Sequence, residues 1–287
     1  MSKVYMITGC SSGFGRALAK AVLDRGDQVV LTARRVERIA DLAEQYTDQT
    51  LAVRLDVTNP SDREKVFSQT KQRFGRVDVL VNNAGQGSLG AFEEFSSDQI
   101  RRHFEVNSFG VFEMSRAALP IMRQQRSGHI LNITSVGGVA SMGGFALYCA
   151  TKFAVEGFSE GLRDEVKPLG IRVTLVEPGA FRTNFAGEAN MRPASAIEDY
   201  QPLIEPIRQY LYGSNGQQPG DPHKAALAMI DVVESENPPL RLMLGVDAYS
   251  FWEQKNRALQ QDLAKWRRVG EDTAFDDAKV QPIGGRG

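Results

Sequence analysis

The sequence predicts a doubly wound α/β fold, a parallel sheet of about seven strands with helices packed on both faces. Three observations carry that expectation. Short apolar runs alternate with longer helix-like segments along most of the chain. Several runs are dominated by Val, Ile and Leu and do not alternate strictly with polar residues, as strands covered on both faces do not. The first run also passes directly into a glycine-rich turn that opens a helical pattern, the beginning of a βαβ unit.

The strand-like runs are Val4-Tyr5-Met6-Ile7, Gln28 to Leu31, Leu51 to Leu55, Val77 to Val81, His129 to Ile133 and Ile171 to Val176, with Leu240 to Leu244 as the last. The helix signals between them have physical causes. Arg16 to Leu23 follows the glycine turn, Ser96 with Gln99 forms a capping box, and Asp221-Pro222 sets an N-cap before a proline at the first helical position. Pro168 and Gly170 close a long helical stretch that begins near Tyr148. One catalytic domain over 1–287 is expected. Within it, 184–220 breaks the βα rhythm with Pro193, Pro202, Pro206 and Pro219 among clustered Gly, Asn and Ser, the pattern of an insertion or lid. From Tyr200 onward, Leu203, Ile204, Ile207, Tyr210 and Leu211 form an amphipathic helical stripe. It suits the roof of an apolar pocket, and ordinary surface packing explains the periodicity as well. Pro202 and Pro206 are expected to kink or restart that helix, as a movable lid requires. After 246 the chain reads as a helical extension whose Gly-rich end is expected to be mobile.

Composition narrows the function. Lys plus Arg number 34 against 35 Asp plus Glu, a net charge of -1, so there is no electrostatic footprint for nucleic acid. Hydrophobic residues make up 42% and charged residues 24%, and the glycines follow no collagen period; a packed globular core is expected. Val4 to Ile7 is too short for a signal-peptide core and no run approaches a membrane span, which points to the cytoplasm and to no membrane partner. Cys10 and Cys149 read as small apolar fillers, and His103, His129 and His223 are too scattered for a local metal motif.

The turn Thr8-Gly9-Cys10-Ser11-Ser12-Gly13-Phe14-Gly15 is where phosphates should sit. Glycines allow the backbone to approach a pyrophosphate closely, and the following helix N-terminus offers N–H groups and partial positive charge. The spacing is G-x-x-x-G-x-G, distinct from the commoner G-x-G-x-x-G fingerprint. At the end of the second strand, where an acidic residue would bind the ribose 2′-OH of NAD, the chain reads Ala33-Arg34-Arg35. Two guanidiniums there favour the 2′-phosphate of NADP(H).

Tyr148 and Lys152 stand i, i+4 on one helical face. A phenol with an ordinary pKa of about 10 is a poor acid-base catalyst at neutral pH, and a neighbouring ammonium lowers that value. Thirteen residues upstream, Ser135 ends the fifth strand, where its hydroxyl can orient a carbonyl. Alone, a Tyr-x-x-x-Lys pair is common on helices by chance. Here it falls in series with Thr8-Gly9-x-x-x-Gly13-x-Gly15, Asn82-Asn83-Ala84-Gly85, Asn107, Ser135 and Pro178-Gly179 with Thr183.

In that order and approximate spacing, the chain resembles the short-chain dehydrogenase/reductase family in its single-domain Rossmann form over about 3–185. It is most similar to the bacterial 17β-hydroxysteroid-dehydrogenase-like branch. The resemblance implies that Tyr148 donates or removes the substrate proton, Ser135 holds the substrate oxygen, Lys152 also binds the nicotinamide ribose, and Asn107 fixes a water in a proton relay. It implies cofactor contacts from Gly9, Ser11, Ser12, Gly13, Phe14 and Gly15. Further contacts are implied for Arg34 and Arg35, for Asp56 and Val57 at the adenine, for Asn83, Ala84 and Gly85, and for Pro178, Gly179, Phe181 and Thr183 near the carboxamide. Many NADP-preferring relatives carry a basic residue where this chain has Ser12, so the cofactor choice rests on Arg34.

Met142, Phe145, Phe181 and Phe185 flank the expected reaction centre, which implies an apolar ketone, aldehyde or secondary alcohol, with reduction the expected direction. Arg182 and Arg192 are the residues able to change that by recognising an anion. Phe109, Val111, Phe112, Met114, Leu119 and Ile121, with Phe153 and Phe158, exceed one sheet-facing stripe and suggest a homodimer or homotetramer. Two rivals remain at this level. A nucleotide-sensing regulator would bind NADP without turnover but has no need of an activated phenol. Sugar-nucleotide epimerase chemistry would bring a larger C-terminal domain than the roughly 100 residues present after Pro178-Gly179.

Overall fold

The computed structural model describes residues 2–186 and 190–277. Its strands are β1 (Val4–Ile7), β2 (Gln28–Ala33), β3 (Thr50–Arg54), β4 (Val79–Asn82), β5 (Gly128–Ile133), β6 (Ile171–Pro178) and β7 (Arg241–Leu244). They form one parallel sheet in the order β3-β2-β1-β4-β5-β6-β7. The chain winds outward from β1 to β3, then returns to place β4 beside β1, and this reversal opens a crevice at the carboxyl ends of the strands. Every expected strand is present, with edges moved by one or two residues. β4 begins at Val79 and not at Val77 because the Gln125 side chain takes both backbone groups of Val77, at 3.0 and 2.9 Å.

The helices are α1 (Gly13–Asp24), α2 (Ala40–Gln45), α3 (Pro60–Phe74), α4 (Ser97–Phe104), α5 (Gly110–Gln125), α6 (Ala146–Val166), α7 (Gln201–Gly213), α8 (Pro222–Glu234) and α9 (Val246–Glu271). The period-2 alternation of the strands sorts them into two layers. Tyr5, Ile7, Val29, Leu31 and Val81 pack with α1, α2 and α8, whereas Val4, Met6, Val30, Leu80 and Ile130 pack with α3, α5 and α6. The local signals act as expected. Ser96 and Gln99 cap α4 reciprocally, and the Asp221 side chain accepts from the His223 N–H at the start of α8. Gly170 adopts φ +75 beyond α6, where a Cβ would collide with the Arg126 carbonyl.

One expectation is corrected. α7 runs unbroken through Pro206, because Pro202 sits in its first turn and Pro206 forgoes a single bond in the next. Gly143 and Gly144 lie beneath it: Leu203 fills the space beside Gly143, and Ile204 and Ile207 fill that beside Gly144. The buried Glu94 carboxylate anchors the approach to α7 by accepting from the Ile197 N–H at 2.9 Å and the Gln201 amide at 3.1 Å. Beyond Trp252, α9 is exposed along its whole length. The Gly-rich end of the tail, 278–287, lies outside the described residues.

Among the described residues no helix is long and apolar enough to cross a membrane, and no three His, Cys, Asp or Glu side chains are grouped to hold a metal. Both cysteines are buried, and burial pushes the Cys10 thiol up to about 12, consistent with a filler role.

Candidate active site

The crevice is stitched together at the β1/β4 reversal. Thr8, at the end of β1, donates its hydroxyl to the Val81 carbonyl and accepts from the Asn83 and Ala84 N–H groups, both at 2.9 Å. Asn83 answers by donating its amide to the Thr8 and Gly9 carbonyls, at 2.8 and 3.2 Å. Gly9 and Gly13 take φ +75 and +57, the left-handed region that disfavours side chains. A Cβ on Gly15 would stand 2.5 Å from the Gly9 oxygen, so the turn closes tightly onto α1. Ser12 is extended at the N-cap and its side chain caps nothing, which leaves the first N–H groups of α1 facing the crevice. Ser11 and Ser12 are exposed, and Thr183 lies over Gly13.

Arg34 and Arg35 follow β2, both exposed and without an ion-pair partner among the described residues. Arg16, by contrast, is taken by Asp41 and by the Arg38 carbonyl. Asp56 lies across from Arg34. Burial opposes its ionisation, but bonds from the Thr58 hydroxyl and N–H and the charges of Arg34 and Arg54 outweigh that and hold the carboxyl below its usual range. The Val57 side chain is buried against Gly110 and not turned to the crevice, so a contact from Val57 is confined to its backbone.

Tyr148 and Lys152 project from α6 toward the end of β5, 8% and 6% exposed. Ser135 stands beside the Tyr148 phenol, its hydroxyl accepting from the Gly137 N–H at 3.0 Å, and the Lys152 Nζ donates to the Ile133 carbonyl at 2.8 Å. Lys152 stands 5.9 Å from the centre of the Tyr148 ring. The expectation of a lowered phenol pKa meets a counter-effect. Burial pushes Tyr148 above its ordinary value, and Ser135 pulls it part of the way back. Burial also pulls Lys152 down to about 8 against the opposing charge of Glu156. Lys152 is thus the first of the two to lose its proton, and the chemistry belongs to the pair.

Asn107 sits in a π-helical turn, Glu105–Phe109, between α4 and α5. Its oxygen accepts from the Gln86 N–H at 2.9 Å and its amide donates to the Gln86 carbonyl at 2.8 Å and to the Thr151 hydroxyl at 3.1 Å. Gly85 lies between Asn107 and Lys152, where a Cβ would stand 3.3 Å from the Asn107 oxygen and 3.7 Å from Nζ. An extra turn residue of this kind re-aims a side chain, and here it brings the Asn107 amide to the loop after β4.

Comparison with known proteins agrees with this geometry. A sequence model of the short chain dehydrogenases matches residues 3–194. The 3-ketodihydrosphingosine reductase of Bacteroides thetaiotaomicron is 36% identical over 245 residues, 85% of this chain and 88% of the relative. The chain belongs to the short-chain dehydrogenases. Among solved structures, a short-chain dehydrogenase from Streptomyces avermitilis superposes with a TM-score of 0.89 at 46% identity, covering 95% of this chain and 98% of the other. An alcohol dehydrogenase from the archaeon Thermococcus sibiricus, complexed with 5-hydroxy-NADP, gives 0.70 at 26% identity over 85% of this chain and 96% of the other.

On the substrate side of the dehydrogenase, the Phe185 ring lies 5.4 Å from that of Tyr148, and Met142 is exposed nearby. Phe181 packs edge-on against Phe14 at 5.1 Å, on the α1 side of the crevice. Neither arginine considered for anion recognition is free, since Arg182 donates to the Gln218 carbonyl and Arg192 lies over the Tyr212 ring. Two neighbours of this dehydrogenase site carried no signal in the sequence. Asp247, in the first turn of α9, accepts from the Ala180 N–H at 2.6 Å and fixes the loop after Pro178-Gly179. His103 lies 6.4 Å from Tyr148, ring centre to ring centre, and 3.2 Å from the Asn107 amide; burial and the Lys152 charge hold it neutral, with a pKa of about 4.

Proposed function

We propose that this short-chain dehydrogenase is an NADP(H)-dependent carbonyl reductase or alcohol dehydrogenase acting on an apolar ketone, aldehyde or secondary alcohol. The observation that carries the proposal is the convergence of Ser135, Tyr148 and Lys152 beside a glycine turn whose cradle a single Cβ would fill. The residues present fit a dinucleotide. The Gly9-to-Gly15 turn and the α1 N-terminus suit a pyrophosphate, Arg34 with Arg35 a 2′-phosphate, Asp56 and the Val57 backbone an adenine, and Asn83 to Gly85 with Pro178 to Thr183 the nicotinamide end. When bound, the nicotinamide supplies or accepts the hydride.

The protein's own part is proton handling. Ser135 donates its hydroxyl to the substrate oxygen and holds it beside Tyr148. In reduction Tyr148 passes its proton to that oxygen as general acid, and in oxidation the phenolate removes it. Lys152 stabilises the phenolate, and Asn107, tied to Gln86, orders the water through which the pair regains its proton. Phe185, Met142 and the apolar edge of α7 suit an apolar substrate, with α7 and its flanks as the lid over it. The related 3-ketodihydrosphingosine reductase of Bacteroides thetaiotaomicron is by its name a reductase of a ketone, which supports this reading. Phe109 and Phe153, 49% and 42% exposed beside Phe112 and Phe158, suit burial by a second copy of the chain.

The test is oxidation of NADPH, against NADH, with a panel of apolar ketones and aldehydes, beside Tyr148→Phe and Arg34→Ala. Tyr148→Phe should abolish turnover yet keep cofactor binding. Arg34→Ala should weaken NADPH by about tenfold to a hundredfold, at roughly 1.5–3 kcal/mol for a bond to a charged group, and leave NADH unchanged. NADPH binding without turnover on the whole panel would refute the assignment in favour of a sensor.

A further inference from the structure

Three ionisable side chains stand one turn apart on the same buried face of α6, namely Tyr148, Lys152 and Glu156, and only the first two take part in the chemistry proposed above. All three reach the end of β5: Tyr148 stands beside Ser135, Lys152 donates to the Ile133 carbonyl, and Glu156 stands beside Thr134. Gly138, just after Ser135, makes room for Glu156, since a Cβ there would stand 3.0 Å from its Cγ and Oε1. Glu177, at the end of β6 and immediately before Pro178-Gly179, faces Glu156. Arg241 of β7 reaches both, with Nη2 3.1 Å from Glu156 Oε2 and Nε 3.0 Å from Glu177 Oε1, and also pairs with Glu160 at the surface.

The charges and hydrogens of this cluster do not balance if both buried carboxyls are ionised. Glu156 and Glu177 are 4% and 0% exposed, and one guanidinium serves both while sharing itself with Glu160. Glu156 Oε1 and both Glu177 oxygens lack a hydrogen bond, the Arg241 Nε beside Glu177 Oε1 making an ion-pair contact without hydrogen-bond geometry. Two facing carboxylates only accept, so one must hold a proton and donate it to the other. Burial raises both carboxyls, Glu177 to about 8 with the Glu156 charge beside it, and of the two only Glu156 holds a hydrogen bond from Arg241, at Oε2. The proton therefore rests on Glu177 and the negative charge on Glu156, one helical turn from Lys152.

The other groups around Lys152 cannot supply that charge. His103 on α4 is neutral, Asn107 is uncharged, Tyr148 is protonated below the pair's first proton loss, Glu160 is exposed, and Arg241 on β7 is positive. We propose that Glu156 is a positioning residue for Lys152: ionised, and clamped by Arg241 and the Glu177 carboxyl, it keeps the Lys152 ammonium charged and seated against the end of β5. The inference rests on the NADP(H) reading of the site. It gives β7, far outside the glycine turn and the Tyr-Lys pair in sequence, a hold on the reaction centre.

A unit charge one turn away at an effective dielectric of about 20 moves a neighbour's titration by about one to two pH units. The sign is fixed. A nearby carboxylate favours the protonated forms of both Lys152 and Tyr148, so removing it lowers the pH at which the pair loses its first proton. The experiment is calorimetric binding of NADP+ across pH in two buffers of different ionisation enthalpy, which counts protons exchanged and needs no turnover. In E156Q the midpoint of proton exchange should fall by about one pH unit. In E177Q it should stay at the wild-type value, because the amide replaces the carboxyl proton as donor and leaves Glu156 charged. If E156Q does not fold, E156Q/E177Q keeps an amide pair in the same volume and should show the same fall. An unmoved midpoint in the Glu156 variants, an equal fall in E177Q, or no proton exchange in the wild type would each overturn the proposal. Failure of the wild type to bind NADP+ would instead overturn the cofactor reading on which it rests.

Discussion

Replacing Thr8 by valine removes one oxygen and nothing else of size, and the structure fixes what that oxygen does. It is buried, and the Ala84 N–H has it as acceptor at 2.9 Å. The Asn83 N–H shares it with the Val81 carbonyl at 3.1 Å, so that group keeps half its bonding in the variant. The loss is therefore about 1–3 kcal/mol for the stranded Ala84 N–H and about 0.5–1 kcal/mol for the weakened Asn83 bond, roughly 1.5–4 kcal/mol in all. Thr8→Ser keeps the oxygen and gives up one buried methyl, for about 1 kcal/mol. Urea denaturation of wild type and both variants, with equal m-values, measures the difference. The functional consequence follows from the same bonds. Thr8 joins the glycine turn to the Asn83-to-Gly85 loop, so T8V should bind NADP(H) more weakly than T8S. A T8V protein within about 0.5 kcal/mol of wild type would refute the reasoning, since that is the scatter of surface substitutions.

Two further outcomes are expected. Asp247→Ala removes the acceptor of the Ala180 N–H and should raise the Kd for NADP(H) by about tenfold, the equivalent of about 1.4 kcal/mol, with the far-ultraviolet spectrum unchanged; fluorescence titration checks it. His129 donates from Nε2 to Thr174 at 2.9 Å, its Nδ1 has no partner, and burial with the Arg172 and Lys3 charges pulls its pKa down to about 3. A histidine depressed in the fold binds its proton first in the unfolded chain, so its contribution is constant above about pH 6.5 and is lost as pH falls toward 3. Wild type should lose about 2 kcal/mol from this group between pH 7 and 5, and His129→Gln should not; parallel denaturation curves with equal slopes would contradict it.

The fold was legible where local rules act alone. Strands buried on both faces must be apolar throughout, and Val4 to Ile7 and Val79 to Val81 are. Gly9, Gly13 and Gly170 mark left-handed backbone, and the Ser96 and Asp221 caps satisfy orphan N–H groups over two or three residues. Errors arose where distant partners intervene. The start of β4 depended on Gln125, 48 residues away.

For the site, the sequence by itself determined the Tyr148 and Lys152 pair, because four residues on a helix always bring side chains onto one face, and it determined the phosphate turn, because glycine alone tolerates that backbone. It also placed Arg34 and Arg35 at the end of β2, since a strand's end is a local property. Only the tertiary structure decided that Asn107 is turned to the Gln86 loop by a π-helical turn, that His103 and Asp247 stand beside the crevice, and that Glu156 meets Glu177 and Arg241. Those side chains come from elements as much as 85 residues apart. Their meeting depends on the order β5-β6-β7 across the sheet, which is set by how the crossover helices bury their apolar faces and not by any spacing along the chain.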